Sequence, residues 1–394
     1  MRPFLFNHGI PIAIGNEKHG NAYNIKVTET AQAPKQLRKT LKARKFTDFH
    51  RFNSFNPSIN QSFNPSIIMY SKESLRIVFM GTPDFAVESL KALIDNGYNV
   101  VGVVTTPDKP AGRGQKLSES AVKQFAVSKG LPVLQPEKLK DTDFQSALRN
   151  WKADLQVIVA FRMLPESVWS MPPLGSINVH ASLLPNYRGA APINRAIMNG
   201  ETESGVTTFL LKHEIDTGDI LQFERTPISP DDNAGTLHDR LMMIGAGLLI
   251  KTVEQICAGN TKGTPQSDLM PADGILKGAP KIFKDDCRID WNAEPQTIIN
   301  QIRGLSPYPA AFSNLQRDNE EPLPIKIFSA RFEQCAHNQP FGKVSTDGKN
   351  TFKVYVNGGT IALSDVQLAG KKRMPVADFL RGFKTEGVEL EFRN

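Results

Sequence analysis

The chain has 394 residues, of which 40% are hydrophobic, so it is long enough for two or three domains with sizeable cores. No run approaches roughly eighteen apolar residues, which excludes a membrane-spanning helix, and three widely spaced cysteines match no zinc or disulfide pattern, which favours a reducing, cytoplasm-like compartment. The net charge of +7 resides in residues 1–68 (ten Lys or Arg against three Asp or Glu), so the rest of the chain, with 37 charges of each sign, can bind nucleic acid only through local patches.

The first 74 residues differ from the rest of the chain. They lack amphipathic periodicity, and the octapeptide 54–61 is nearly repeated at 62–67. This pattern predicts a disordered leader, or upstream translation of a chain whose true start is Met69. A basic, acid-poor segment is also compatible with a cleaved organelle-targeting sequence, which would place the mature protein in an organelle matrix.

Residues 75–258 alternate strands with helices, which predicts an α/β domain with a mostly parallel, doubly wound sheet. The predicted helices begin at Asp84, as an N-cap, and cover 120–129, 144–151 and 236–256, the last with Thr236 as its N-cap. The predicted strands are 76–81, 100–104, 131–134, 155–160, 177–180, 205–211 and 220–223.

The pattern changes after residue 258. Residues 259–280 are rich in Gly, Pro, Lys and Thr, which predicts a linker. Residues 281–394 contain two candidate helices, 295–303 and 376–383, among short strands that are separated by Asp-Gly and Gly-Gly turns, at 325–332, 342–345, 352–356 and 361–366. We therefore expect a small β-barrel of the OB type.

Asn178 and His180 form the first candidate site. They lie two residues apart on a predicted strand, so their side chains share a face. An amide can donate to a developing oxyanion and an imidazole can move a proton, which together suit acyl transfer. Such a pair can also be satisfied by backbone groups in an ordinary core, but the flanking elements 182–185 and 187–193 favour a functional site.

Asp216 is the candidate third member, in the loop 213–220 between two apolar runs. Its carboxylate could orient His180 and favour the charged imidazole. Asp and Gly are also common in plain turns, and Asp219 in the same loop is a rival. Sequence spacing alone does not choose between these alternatives.

Two segments carry candidate ligand contacts. The loop 105–117 follows a strand end, where ligands of doubly wound sheets bind, and its basic residues suit a phosphate-bearing partner or merely a solvated turn: Lys109, Arg113 and Lys116. The loop 161–165 follows another strand and could form the wall of an apolar pocket with Phe161, Met163 and Leu164. A third run, Lys371, Lys372 and Arg373, is a nucleic-acid patch or another solvated turn.

Together these motifs resemble the methionyl-tRNA formyltransferase family from about residue 75 to near the end of the chain. The matching segments are M-G-T-P-D-F-A at 80–86, T-P-D-K-P-A-G-R-G-Q-K at 106–116, N-V-H-A-S-L-L-P-N-Y-R-G-A-A-P-I at 178–193, D-T-G-D at 216–219 and L-A-G-K-K-R-M at 368–374. Residues 1–74 have no counterpart in the family. The resemblance implies a Rossmann-like catalytic domain (75–258), a linker (259–280) and an OB-like tRNA-binding domain (281–394).

The resemblance also implies roles for particular residues. Asn178, His180 and Asp216 would be catalytic, with 10-formyltetrahydrofolate as formyl donor and no metal. The folate would contact Phe161, Met163, Leu164, Ser182, Leu183, Leu184 and Pro185. Methionyl-initiator tRNA would contact Lys109, Arg113 and Lys116 through its acceptor end, and Lys371, Lys372 and Arg373 through its backbone. The family often has Arg where this chain has Lys109, which loses bidentate phosphate geometry. A cytoplasmic monomer is expected.

Three alternatives remain at this stage. A related formyltransferase could act on glycinamide ribonucleotide or an amino sugar, although the basic loop and the β-rich C-terminal region argue against both. A folate-dependent hydrolase or dehydrogenase is a second alternative. A non-catalytic RNA-binding protein with an OB domain is the third, and the presence of all three candidate catalytic residues argues against it.

Overall fold

The computed structural model describes residues 4–6, 10–19, 22–28, 69–111, 116–317, 320–385 and 388–393. The chain divides into two units, Met1–Ile67 and Ile68–Asn394. The first unit contains three antiparallel strands, β1 (Phe4–Phe6), β2 (Ile10–His19) and β3 (Ala22–Thr28). The repeated octapeptide at 54–67, on which the leader prediction depends, lies outside the described residues.

Seven strands form the sheet of the half that covers residues 69–258, in the order β13-β12-β10-β9-β4-β5-β8. The five strands from β10 to β8 are parallel, β12 is antiparallel to β10 and β13 is antiparallel to β12, so the predicted mostly parallel sheet is confirmed. The strands of this half are β4 (Arg76–Gly81), β5 (Asn99–Val104), β6 (Lys109–Ala111), β7 (Lys116–Ser118), β8 (Val133–Leu134), β9 (Leu155–Val159), β10 (Ser176–His180), β11 (Arg188–Gly189), β12 (Glu203–Leu210) and β13 (Ile220–Pro227).

Helices cover both faces of this sheet. Every residue of β9 is buried, as expected for a strand packed on two sides. One face packs in the main hydrophobic cluster with helices that include α1 and α6, and the other packs with α3 and α4. The helices are α1 (Asp84–Asp95), α2 (Ala121–Ser128), α3 (Thr142–Asn150), α4 (Glu166–Trp169), α5 (Pro192–Met198) and α6 (Ala234–Cys257).

Two predicted helix caps are wrong. Asp84 is the first helical residue of α1, and the N-cap position is taken by Pro83 without a side-chain bond. Asn233, not Thr236, caps α6: its Oδ1 accepts from the backbone N–H groups of Gly235 and Thr236 at 2.8 and 3.1 Å. Thr236 Oγ1 accepts from Asn233 N at 3.0 Å, which completes a capping box. The apolar periodicity of the sequence predicts α6, but the N-cap residue lies before the first residue of that periodic pattern.

The C-terminal half is an antiparallel, nearly closed barrel, as predicted. Its sheet has the order β17-β18-β19-β16-β15-β21, with β20 beside β19. Phe392 N donates to Gly342 O at 2.8 Å, which brings the last strand back to the segment before β17. The elements are β14 (Gly278–Ala279), α7 (Pro295–Leu305), β15 (Ala311–Arg317), β16 (Leu323–Gln334), β17 (Val344–Thr346), β18 (Phe352–Val356), β19 (Gly359–Leu368), β20 (Met374–Pro375), α8 (Val376–Gly382) and β21 (Leu390–Arg393).

The segment 259–280 is bound to the half that covers residues 69–258. Thr264 and Ile220 exchange two backbone hydrogen bonds of 2.8 Å, and β14 pairs with β11 in parallel. Between these points lies a 3-10 helix, Gln266–Leu269. The two halves also touch directly, because Asn194 Nδ2 on α5 donates to Gly304 O on α7 at 2.7 Å. None of the helices in the described ranges is long and apolar enough to cross a membrane.

Candidate active site

Asn178 and His180 lie on β10 near the carboxyl edge of the parallel strands. Asn178 is opposite Ile158 of β9 and Phe209 of β12, and His180 is opposite Thr207. The two side chains point to the same face because they are two residues apart on a strand. The carboxyl edge is where open α/β sheets bind ligands, so the fold places the candidate pair where chemistry is expected.

His180 is held by two neighbours. The residue is only 7% exposed, and its Nε2 lies 2.9 Å from the carbonyl oxygen of Tyr187. A carbonyl can only accept, so Nε2 is the donor and carries the proton. The other ring nitrogen, Nδ1, lies 4.0 Å from Asp216 Oδ2. The sequence left Asp219 as a rival, but that carboxylate pairs with Lys212 at 2.6 Å instead.

Asp216 adopts a strained backbone conformation at this position. Its φ is +53°, in the left-handed region that residues with a Cβ rarely adopt. Its Oδ2 accepts a hydrogen bond of 3.0 Å from the backbone N–H of Gly189. Ala160 and Tyr187 also have positive φ values, +47° and +61°. Ala160 follows β9 and Tyr187 holds His180, so positive φ recurs around this site, as often occurs in functional loops.

The amide of Asn178 makes no hydrogen bond to any residue that the structure describes, although Asn178 is half-buried. Most buried polar side chains are satisfied within the protein. Leaving an amide unpaired next to an imidazole and a carboxylate keeps a donor ready for an incoming oxygen atom. This geometry can stabilise an oxyanion and move a proton. No cluster of His, Cys, Asp and Glu suited to a metal ion occurs within the described ranges.

The loop 161–165 borders a cavity of about 530 Å³. The cavity is lined by Leu139, Lys140 and residues 163–167, and the side chain of Met163 is exposed. Arg162 fixes the loop by donating to Pro136 O at 2.7 Å and Glu137 O at 3.0 Å. Burial lowers the pKa of the Arg162 guanidinium, although a group with so high an ordinary pKa stays charged. Phe161 lies against this guanidinium, 5.3 Å away.

The residues predicted to bind folate do not all come together. Ser182 is buried, its Oγ donates to Asn186 O at 2.8 Å and its carbonyl accepts from Thr207 Oγ1 at 2.7 Å, so its polar groups are engaged. Leu183, Leu184 and Pro185 line a second cavity of about 330 Å³ together with Tyr187 and Phe223. This cavity shares no lining residue with the one beside Met163 and Leu164.

The predicted basic loop forms a small hairpin, in which β6 pairs with β7. Lys109 on β6 is exposed and lies opposite Ser118. Lys116 is the first residue of β7, whereas Arg113 lies outside the described residues. The neighbouring Asp108 bonds to Lys123 and Gln135, and these bonds hold its carboxyl pKa below the ordinary value. Asp108 is therefore committed to the scaffold beneath the hairpin.

The second predicted basic run has two different parts. Lys371 and Lys372 are exposed, and neither ammonium group pairs with any residue in the described part of the chain. Arg373 instead bonds to Asp365 at 2.6 Å and lies 4.4 Å from the centre of the Phe328 ring. Two of the three cations are therefore available to a partner, and the third braces the barrel.

Sequence reasoning missed two residues that organise the site. Tyr187 lies inside the Y-R-G-A-A-P-I element, but nothing in its pattern indicates that its carbonyl would bind His180. Gln266 is 3% exposed and donates to the carbonyls of Asp216 and Gly218, both at 2.8 Å. It lies in the Gly- and Pro-rich segment that predicts a linker, where no signal marks it.

The fold and the site define a formyltransferase. The family described as "Formyl transferase" matches residues 75–253, and "Formyl transferase, C-terminal domain" matches residues 281–384. Methionyl-tRNA formyltransferase of Bacteroides fragilis is 56% identical over 321 residues, which cover 81% of this chain and 99% of that protein. The enzyme of the same name from Porphyromonas gingivalis is 49% identical over 314 residues, 79% of this chain and 97% of its own. The chain belongs to the methionyl-tRNA formyltransferase family.

Solved structures share the fold at lower identity. HypX from Aquifex aeolicus, in complex with tetrahydrofolic acid, matches 80% of this chain with a TM-score of 0.53 and 17% identity, and this chain spans half of its length. An N-formyltransferase from Helicobacter canadensis, in complex with folinic acid and dTDP-3-aminofucose, matches 73% of this chain and 98% of its own, with a TM-score of 0.51 and 20% identity.

Proposed function

We propose that this chain transfers the formyl group of 10-formyltetrahydrofolate to the α-amino group of methionyl-initiator tRNA, which gives N-formylmethionyl-tRNA for translation initiation. The observation that carries the proposal is the unpaired amide of Asn178 beside the His180–Asp216 pair at the carboxyl edge of the sheet. High identity to methionyl-tRNA formyltransferases over nearly their whole length supports this acceptor over a ribonucleotide or an amino sugar.

The residues beside the catalytic pair fit the formyl donor. The cavity beside Met163 and Leu164 has a volume within the range of ordinary ligand sites, about 300–1,000 Å³. Its loop follows β9, the strand next to β10, at the same edge of the sheet. Bound folate supplies an activated formyl amide. We assign its ring system to this cavity, and we assign further contacts with the folate to Ser182–Pro185, next to Tyr187.

Asn178 acts on the formyl oxygen. As the methionyl amine attacks the formyl carbon, negative charge develops on that oxygen, and the Asn178 amide donates a hydrogen bond to it. The donor has no hydrogen bond to break within the described residues, so little reorganisation is needed at that moment. Removing one such donor typically costs about 2.7–4 kcal/mol of transition-state stabilisation.

His180 moves the proton. The attacking amine forms a bond to the formyl carbon and loses a proton. The folate nitrogen loses its bond to the formyl carbon and gains a proton. Because Nε2 is bound to the Tyr187 carbonyl, Nδ1 is the ring atom with a free lone pair. A proton taken up at Nδ1 faces the Asp216 carboxylate, which stabilises the imidazolium until the proton passes to the leaving nitrogen.

Exposed cations hold the tRNA. We assign Lys109, Arg113 and Lys116 to the acceptor end, and Lys371 and Lys372 on the barrel to backbone phosphates. Arg373 contributes by bracing the run through Asp365. Residues 75–258 form the catalytic domain, 259–280 the connection and 281–394 the tRNA-binding domain. The chain works as a cytoplasmic monomer, and residues 1–68 are dispensable for activity.

The experiment is formyl transfer with the full chain and with a chain that starts at Met69. Each is incubated with 10-formyltetrahydrofolate and charged methionyl-initiator tRNA, and in parallel with glycinamide ribonucleotide and with a dTDP-amino sugar. Formylmethionyl-tRNA as the product from both chains is expected. Transfer to a small acceptor alone would refute the proposed acceptor, and activity of the full chain alone would refute the dispensability of the leader.

A further inference from the structure

Gln266 connects two backbone segments that meet at Asp216. Its side-chain nitrogen donates to Asp216 O and to Gly218 O, both at 2.8 Å. Its side-chain oxygen accepts from Arg188 Nε at 3.0 Å and Nη2 at 2.6 Å. The residue is 3% exposed, so every hydrogen-bonding group of the amide is used and none is left for water.

A hydrogen bond joins these two segments: one segment contains the donor, Gly189, and the other contains the acceptor, Asp216. Arg188 is the neighbour of Gly189, whose N–H donates to Asp216 Oδ2 at 3.0 Å. Gln266 therefore binds Asp216, which carries the carboxylate, and Arg188, which precedes the N–H donor Gly189. The carboxylate that it aligns is the one that faces His180 Nδ1.

The conformation of Asp216 requires such support. Its positive φ costs free energy that surrounding contacts must offset. Gly218 in the same loop lies so close to Leu210 O that a Cβ atom would be 1.5 Å from it. The loop is thus packed against β12 at one point and fixed by Gln266 at two carbonyls.

We infer that Gln266, braced by Arg188, is a positioning residue for the formyl-transfer reaction, which fixes Asp216 against the Gly189 N–H and so keeps its carboxylate aligned with His180. The inference deepens the proposed function. Gln266 acts without touching substrate, from the segment that joins the two halves of the chain.

The test uses Gln266→Glu in the full chain. A carboxylate of the same shape still pairs with Arg188 but cannot donate to Asp216 O and Gly218 O, so only one half of the connection is broken. Gln222→Glu is the matched control, because Gln222 also donates through its amide, to Gln255 Oε1 at 2.8 Å, but away from the site. Arg188→Lys is a second variant that loses the two-pronged contact and leaves Gln266 intact.

Hydrogen exchange at the Gly189 amide gives a readout that does not depend on activity. We expect exchange to be about tenfold faster in Gln266→Glu and in Arg188→Lys, and unchanged in Gln222→Glu. Equal protection of Gly189 in wild type and both site variants would overturn the inference. If wild type failed to formylate methionyl-tRNA, the proposed function would fall, and this exchange measurement would still decide the role of Gln266.

Kinetics separate positioning from general stability. We expect kcat of Gln266→Glu to fall about tenfold with KM for both substrates nearly unchanged. When Asp216→Asn is already present, Gln266→Glu should cause almost no further loss, because the two residues act on one function. A fully additive loss in the double variant would show that Gln266 supports the fold only, and would refute the inference.

Discussion

The carbonyl oxygen of Tyr187 fixes the tautomer of His180 through a contact of 2.9 Å to Nε2. Tyr187 is itself anchored, because its phenol donates to Glu201 Oε1 at 2.5 Å and its N–H donates to Lys277 O at 2.5 Å. Burial and the Glu201 carboxylate raise the pKa of the phenol, so it remains a neutral donor. Tyr187, which lines the second cavity, thus determines which nitrogen of His180 faces Asp216.

The first prediction concerns this tautomer. In the full chain labelled with ¹⁵N-histidine, neutral His180 should give the NMR pattern of a protonated Nε2 and an unprotonated Nδ1. The His180→Asn variant assigns the signal among the seven histidines. A protonated Nδ1 in the neutral ring would contradict the proposed proton path.

The second prediction concerns Asn178. Asn178→Ala should lower kcat roughly a hundredfold or more, the usual effect of losing one oxyanion donor, with folate binding retained. Single-turnover formyl transfer and folate titration measure the two effects. Asn186→Ala is the control, because Asn186 lies in the loop between β10 and β11 and its amide is not part of the catalytic pair. Near-normal turnover of Asn178→Ala would refute its role.

The third prediction distinguishes the two carboxylates of one loop. Asp216→Asn should lower kcat by at least about tenfold, because the neutral amide no longer stabilises the imidazolium. Asp219→Asn should change kcat less than about twofold, because it loses only a partly exposed pair with Lys212. Steady-state kinetics on both variants suffices, and equal losses would contradict the assignment.

The fourth prediction concerns tRNA binding by the barrel. Lys371→Ala and Lys372→Ala should each weaken binding of methionyl-initiator tRNA and reduce the slope of log K against log salt by about one. Arg373→Ala should also lower the melting temperature, since Arg373 pairs with Asp365 and lies on Phe328. Salt titrations of tRNA affinity and thermal unfolding measure these effects. If the slope is unchanged in both lysine variants, residues 371–373 do not contribute to tRNA binding.

The fifth prediction is a pH dependence of stability at the start of α6. Burial raises the pKa of Asp232, but hydrogen bonds from Ser229 N, Arg240 and Thr236 outweigh it and hold the pKa below its ordinary value. A depressed folded-state pKa contributes stability that is present above the unfolded pKa and is lost as pH falls through the folded one.

Asp232→Asn should therefore lower the free energy of unfolding by about 2 kcal/mol at neutral pH. The difference from wild type should shrink as pH falls below about 4. Denaturant unfolding at a series of pH values measures this effect, with the exposed Asp231→Asn as the matched control. A difference that persists unchanged in acid would show that the charge of Asp232 is not responsible.

Much of the fold could be predicted from periodicity. The alternation of apolar strands and amphipathic helices identified the parallel sheet, and short strands with Gly turns identified the barrel. β15 and β21 are absent from the prediction, and β21 contributes only four residues. Caps such as Asn233 lie beyond the stripe that locates a helix, so periodicity cannot place them.

The site was predictable only in part. A strand places Asn178 and His180 on one face, so their pairing follows from local geometry. The choice of Asp216 over Asp219 depends on which carboxylate Lys212 and Gly189 engage, and no local pattern contains that information. Tyr187 acts through its own backbone carbonyl, and Gln266 binds the carbonyls of Asp216 and Gly218, which are about fifty residues away in the sequence, so composition marks neither residue.

The pairing of β11 with β14 has a consequence for how such proteins can be divided or recombined. Gly189 approaches Ala279 so closely that a Cβ atom would lie 2.4 Å from its carbonyl oxygen, and Gln266 binds Arg188, the residue before Gly189. A fragment that ends at residue 258 would retain every predicted catalytic side chain, but it would lose β14, which pairs with β11, and Gln266, which binds Asp216 O. Exchange of the barrel for another module, in evolution or in a fusion, should therefore preserve activity only when the junction falls after Ala279.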